Sequence, residues 1–259
     1  MNNSSKTQAF AALHVKADPV ILYNIWDPGS AKAVAAAGAK ALATGSAPVA
    51  MAHGFADGQK IPLAMMLDNL SRIVDTVDLP VTADIEGGYG ITPAEVAETA
   101  AMTIRAGAVG FNFEDQIVGG DGLYDADTQA ARITAAREAV DAIASDVFIN
   151  ARTDIFLKAK PDAHTDAMLD DALARAHAYA AAGASGFFAP GLADETQIAR
   201  LCADCPLPVN IIALPHVPGP ARLAELGAAR ISYGPVPYKQ MVNWLEDQAR
   251  AAIGYRDQS

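Results

Sequence analysis

Short apolar runs rich in β-branched residues alternate along this chain with longer stretches whose apolar positions recur every three to four residues. The period-two or continuous runs predict strands over Ile21–Trp26, Ala39–Gly45, Val81–Glu86, Ala108–Asp115, Val147–Asp154, Gly186–Gly191, Val209–Leu214 and Arg230–Gly234. Between and after them, the helical period predicts Ser30–Ala37, Leu63–Val77, Thr92–Ala106, Asp127–Ala144, Asp166–Ala182, Asp194–Ala203, Gly219–Leu226 and Val236–Ile253. Strands alternating with helices imply parallel pairing through right-handed crossovers. Eight such units predict closure into a (β/α)8 TIM barrel rather than the open doubly wound sheet that shares this alternation. The segment Glu86-Gly87-Gly88-Tyr89-Gly90 imitates a dinucleotide fingerprint only weakly, because its spacing differs and it follows the third strand.

Punctuation supports these boundaries. Thr92-Pro93-Ala94-Glu95 reads as N-cap, N1 proline and capping-box glutamate. Gly38, Gly107, Gly183 and Gly227 each follow a helix and precede a strand, as left-handed C′ residues do. With 259 residues and no linker, residues 1–259 read as a single barrel domain.

Composition narrows the function. A net charge of −11 argues against nucleic-acid and membrane partners. No apolar run is long enough to span a membrane, and the polar start from Met1 to Gln8 lacks the order of a secretory signal, so a cytoplasmic protein is expected. Cys202 and Cys205 lie where a helix gives way to a strand, not at the start of a helix as in a redox motif, and read as packing. The five histidines are scattered without metal-ligand spacing.

In a barrel, chemistry gathers at the C-terminal ends of the strands. Those ends carry Thr44-Gly45-Ser46, Asp84 and Glu86, Asn112 and Glu114, and Asn150, Arg152 and Asp154. Pairs two apart in a strand share a face, so Asp84, Glu86 and Glu114 should converge. Such acids would repel one another without a cation, which predicts a hard divalent ion, Mg2+ or Mn2+. Arg152 offers a fork for a substrate carboxylate or phosphonate. Asp27 and Asp154 read equally well as loop caps or as site groups. Trp26 reads as packing and His53 as a solvated loop residue.

These residues, in this order, resemble the isocitrate lyase/phosphoenolpyruvate mutase superfamily from about Leu13 to Ile253. The resemblance implies a small 2-oxo or 2-hydroxy acid substrate whose carboxylate is held around Gly45 and Ser46. It implies Mg2+ held by Asp57, Asp84, Glu86 and Glu114, partly through water, with Arg152 on the departing portion and Asn210 as a polar pocket residue. It also implies a homotetramer in which Val236–Ile253 swaps between neighbouring barrels. Typical lyases carry a Lys-x-Cys-Gly-His segment after the fourth strand, whereas this chain has Gln116-Ile117-Val118-Gly119-Gly120-Asp121-Gly122-Leu123-Tyr124. Its glycines suit a mobile lid, with Asp121 and Tyr124 as candidate acid or base. The expected reaction is Mg2+-dependent carbon–carbon cleavage of the 2-methylisocitrate-lyase type through an enolate. Phosphonopyruvate hydrolysis, phosphoenolpyruvate mutation, oxaloacetate decarboxylation or 2-oxo-acid binding with little turnover are the alternatives.

Overall fold

The structure, a computed structural model, describes residues 3–254, so the ends of the expected 1–259 domain lie outside the described residues. Eight strands run β1 Val20–Leu22, β2 Leu42–Ala43, β3 Val81–Asp84, β4 Gly110–Glu114, β5 Phe148–Arg152, β6 Gly186–Phe188, β7 Val209–Ile212 and β8 Arg230–Ser232. The helices are α1 Asn3–Ala12, α2 Pro28–Ala36, α3 Ser46–Ala52, α4 Leu63–Thr76, α5 Pro93–Arg105, α6 Ala126–Asp141, α7 Asp166–Ala181, α8 Glu195–Asp204, α9 Pro220–Glu225 and α10 Val236–Gly254. All strand pairs are parallel, in the order β1-β8-β7-β6-β5-β4-β3-β2. The remaining seam, between β1 and β2, is spanned by a parallel bridge from Ile25 to Thr44. This is the expected (β/α)8 barrel.

The strands are shorter than their apolar runs suggested, and the ends of those runs bend into the loops that build the mouth. Two helices escaped the period reading. In α1, apolar Phe10 and polar neighbours make too short a pattern, yet Phe10 is fully buried. It joins Val20, Leu22, Ala41, Ala43, Val109 and Phe148 in a small apolar cluster at the strands' N-terminal ends. His14, just after this helix, stacks on Phe148 at 3.8 Å, and burial lowers its pKa to about 3. The second helix, α3, follows β2 immediately, where a loop was expected; Pro48 fits within its first turn.

The larger core lies between strands and outer helices, where Phe111, Phe113, Phe187, Ile211 and Ile231 meet Ile104, Ile133, Leu169 and Leu201. Local signals hold as read. Thr92 and Glu95 form a reciprocal capping box on α5, and Asp27 caps α2 through Ser30 N at 2.6 Å. Gly38, Gly107, Gly183 and Gly227 take φ of 93°, 99°, 97° and 98°. Gly110 is required for a different reason: a Cβ there would sit 2.3 Å from the Phe148 carbonyl oxygen on the neighbouring strand. Replacing Gly38, whose Cβ position is open, with Ala should cost about 1 kcal/mol through backbone strain alone. Gly110→Ala should cost about 3 kcal/mol or more, because a strand must move. Urea unfolding of the two variants measures the difference.

Candidate active site

A cavity of about 250 Å3 opens at the C-terminal ends of the strands. Asp57, Asp84, Arg152, Gly45, Ser46 and Asn112 line it, together with an apolar wall from Leu157, Phe188, Pro190, Ile212 and Leu214. Its polar half is built by β2 through β5. Asp84 ends β3, where its backbone N–H donates to Thr44 Oγ1 at 3.1 Å. Its carboxylate accepts from Ser46 Oγ at 3.2 Å and from the backbone N–H groups of Ser46 and Glu86 at 3.4 and 3.2 Å. Thr44 and Ser46 are therefore supports of Asp84, and Thr44 lies just behind the cavity lining.

Alternation along the strand holds for Asn112 and Glu114 and for Asn150 and Arg152, but not for Asp84 and Glu86. The strand stops at Asp84, and Glu86 lies in a turn at φ 52°. Left-handed backbone at a non-glycine residue is uncommon and costs energy that its surroundings must supply. Here Gln59 and Tyr89, also left-handed at 58° and 51°, surround it. Gln59 N donates to Glu86 Oε2 at 2.8 Å. With its amide turned to satisfy both groups, Gln59 Oε1 accepts from Gly87 N at 2.9 Å and Tyr89 N at 3.3 Å. Below, the buried Arg132 of α6 donates to the carbonyls of Gly87 and Gly90 at 2.6 and 2.9 Å. The sequence reading missed this latch, because its signal is only an arginine on the buried face of a helix.

Arg152 is the cation of the cavity. Its Nη1 meets Glu114 Oε2 at 2.8 Å, while Nε and Nη2 form a fork to Asp154 at 2.5 and 2.9 Å. Asp154 is thus a partner of Arg152 rather than a loop cap. A guanidinium has five N–H donors, so the three contacts leave one on each η nitrogen. Burial disfavours its charge, but Glu114, Asp154 and Asp84 hold it protonated well above the usual range. The acids respond oppositely. Burial pushes Glu86 up to about 7, with Asp84 and Asp57 adding to the shift. Burial likewise pushes Glu114 up to about 8 against the pull of Arg152, and it raises Asp84.

The remaining expected residues divide. Asn150 and Asn210 are buried under the floor, donating to Asn112 Oδ1 at 2.9 Å and Ser232 Oγ at 3.1 Å. Asp121 is exposed at the tip of the loop after β4. The Tyr124 ring lies against the Arg132 guanidinium at 4.2 Å, outside the cavity lining. His53 ends α3 with Nδ1 on the Val49 carbonyl at 2.9 Å, and Trp26 packs on Tyr238. Both cysteines are free thiols raised by burial. Asn24, a polar residue at the end of the first strand, also lines the cavity, its Oδ1 accepting from Tyr233 N and Gly234 N. Ser232, Gly234 and the apolar wall are lining residues that sequence reasoning did not put forward.

The donors suit a hard ion that keeps much of its water. Asp57 and Asp84 face one cavity. Among the described residues no three His, Cys, Asp or Glu side chains are close enough to ligate an ion together. One or two carboxylates completed by water is the usual mode for Mg2+.

Comparison with known proteins agrees with this geometry. The family model described as phosphoenolpyruvate phosphomutase matches residues 10–253. The 2-methylisocitrate lyase of Escherichia coli K12 is 31% identical, over 88% of this chain and 73% of that protein. A crystal structure from Burkholderia cenocepacia J2315, provisionally called a phosphonomutase, is 51% identical with a TM-score of 0.95, covering 97% of this chain and all of that one. The structure of 2,3-dimethylmalate lyase is 27% identical with a TM-score of 0.82, covering 99% and 88%.

The raised acids set a pH dependence for the metal-free protein. An unfolded glutamate ionises near 4.5, whereas folded Glu86 and Glu114 hold their protons to about 7 and 8. Between those values the folded state binds more protons, so its stability falls as pH rises. Tm should therefore decline from pH 5 to pH 8, and Glu86→Gln should flatten the slope. Differential scanning calorimetry across that range checks both.

Proposed function

The chain belongs to the isocitrate lyase/phosphoenolpyruvate mutase superfamily, whose members include carbon–carbon lyases and mutases, and on that premise we propose that it is a Mg2+-dependent carbon–carbon bond lyase acting on a small 2-oxo or 2-hydroxy polycarboxylate, the reaction class of 2-methylisocitrate lyase. One observation carries the reading: a single doubly paired arginine and two carboxylates face one small cavity at the mouth of the barrel.

Asp84 and Asp57 would hold the ion, with Glu86 and Glu114 behind them reaching it through water, Mn2+ being an alternative. Bound there, it supplies Lewis-acid stabilisation of the negative charge that develops on the substrate oxygen. The chain's own groups do the rest. The two free N–H donors of Arg152 match a carboxylate and fix the portion that departs. Its pairing with Glu114 and Asp154 prevents the side chain from swinging, so orientation is set before substrate arrives. The other carboxylate would lie against Gly45 and Ser46 at the start of α3. There Ser46 N and Oγ donate to Asp84 and Gly45 N to the Ile25 carbonyl, so Ser46 would have to turn from Asp84 to bind it. The wall of Leu157, Phe188 and Ile212 excludes water from the reacting carbons.

The loop after β4 would act as lid. Its base is fixed: Tyr124 N donates to the Asp115 carbonyl at 2.8 Å, and the Tyr124 carbonyl accepts from Arg175 at 2.8 Å. Asp115 in turn accepts from Arg175 and Tyr179. Its tip is closed on itself by Ile117 N to the Gly122 carbonyl at 3.2 Å and Gly120 N to the Ile117 carbonyl at 3.0 Å, and Gly119 and Gly122 take φ of 77° and 82° with open space where a Cβ would be. Asp121 rides on that tip and would be carried to the cavity on closure, whereas Tyr124 would stay at the hinge.

Assembly follows from α10. Of its side chains only Pro237 is buried, while Trp244, Leu245 and Ile253 are exposed by 62%, 54% and 74%. Such a face favours a second copy of the chain, with α10 exchanged between barrels in a tetramer. Light scattering should give a tetramer for the wild type and smaller species for Trp244→Glu with Leu245→Glu.

For the chemistry, NMR of C4 to C7 hydroxy- and oxo-acids with Mg2+ should show cleavage to a 2-oxo acid and a second acid. EDTA should stop it, and Asp84→Ala or Arg152→Lys should lower kcat/KM by about a hundredfold or more, as expected for losing a charge-stabilising group. Turnover of phosphonopyruvate or oxaloacetate alone would overturn the lyase reading in favour of the other reactions of the superfamily.

A further inference from the structure

Asn112 sits on β4 two residues before Glu114 and lines the cavity, while nine-tenths or more of its surface is covered. Its Oδ1 receives two donors from below, Arg230 Nη2 at 2.9 Å and Asn150 Nδ2 at 2.9 Å. Arginine can only donate, so this contact fixes which end of the amide is oxygen. The nitrogen end is left facing the cavity. Arg230 itself is completely buried within the barrel on β8, with Asn112 Oδ1 as its hydrogen-bond acceptor among the described residues. Burial lowers its pKa to about 9, so it remains a cation at neutral pH.

A buried guanidinium is expensive to keep unless it does something for its surroundings. Here it turns a neutral amide so that an N–H2 group is left for the cavity that Asp57 and Asp84 also border. We propose that Asn112 is a substrate-binding residue, a fixed hydrogen-bond donor to a carboxylate or oxo oxygen of the bound acid, and that Arg230 and Asn150 are the positioning residues that orient it. The proposal rests on the cavity being the site of a 2-oxo or 2-hydroxy acid. An anion there needs donors. Among the side chains that line the cavity, Arg152 gives two N–H groups, Ser46 Oγ already donates to Asp84, and Asn24 Nδ2 already donates to the Thr44 carbonyl. Asn112 Nδ2 is the amide donor with no acceptor among the described residues, and the Ser232 hydroxyl, which accepts from Asn210 Nδ2, is the other neutral donor on the lining.

The test separates this role from a structural one. Asn112→Asp keeps an oxygen for Arg230 and Asn150, and gives the buried guanidinium a charged partner, but removes the donor. Asn112→Leu removes the donor without adding charge. The probe is oxalate in the presence of Mg2+, with binding measured by calorimetry on the full-length protein. Both variants should bind oxalate ten- to a hundredfold more weakly than the wild type, the range for losing a hydrogen bond to a charged oxygen. Asn112→Asp should melt no lower than the wild type, whereas Asn112→Leu should melt lower. Arg230→Met, where it folds, should weaken oxalate binding with Asn112 intact, because the amide is no longer held. Wild-type affinity in the folded Asn112→Asp variant would overturn the proposal. Failure of the wild type itself to bind oxalate would instead overturn the function on which the proposal rests.

Discussion

Too many carboxylates are crowded at the mouth of this barrel for the cations available. Asp57 and Asp84 face the cavity, Glu86 and Glu114 stand behind them, and among the described residues Arg152 is the cation that lines the cavity beside them. Burial pushes Asp84, Glu86 and Glu114 towards protonation, with mutual repulsion adding to it, while the negative charge of Glu114, Asp154 and Asp84 holds the arginine charged against its burial. Like charges at close range disfavour ionisation in a poorly solvated place. Much of the surrounding architecture can be understood as support for this arrangement.

The support is layered. Ser46 and the backbone N–H of Glu86 hold the Asp84 carboxylate, and Gln59 holds Glu86 in a left-handed turn. Arg132 grips the carbonyls that follow that turn, from the buried face of α6. On the outer side, Asp115, Arg175 and Tyr179 tie the end of β4 to α7, and Asp154 N donates to Asp115 Oδ1 at 3.0 Å. The residue that aligns Arg152 is thereby anchored by the network that fixes the base of the lid loop. Rigid positioning of this kind is what allows a modest number of charged groups to act strongly on a reacting molecule.

Beneath the acids, the interior changes character by layer. Apolar side chains around Phe10 and Phe148 close the N-terminal end, whereas Asn112, Asn150, Asn210 and Arg230 fill the middle. Barrels are packed cores rather than pores, so a polar layer of this size has to satisfy its groups internally. It does so partly through Asn112, which joins the buried arginine to the cavity floor.

The sequence by itself determined the barrel and most of its site. Periods of two and 3.6 residues, glycines at the helix ends and acids at the strand ends are local features, set by backbone geometry and burial within a few residues. The same reasoning put Asp84, Arg152, Gly45 and Ser46 forward, the family resemblance added Asp57, and all five line one cavity. It could not place Glu86, because the strand ends at Asp84, two residues sooner than alternation assumed. Nor could it rank Asn150 and Asn210 below Asn112, since all three look alike along their strands. Only the tertiary structure decided which amide reaches the cavity and which lies beneath it, because the height of a side chain in a barrel depends on the stagger between strands paired across the whole chain, a quantity that no local pattern contains.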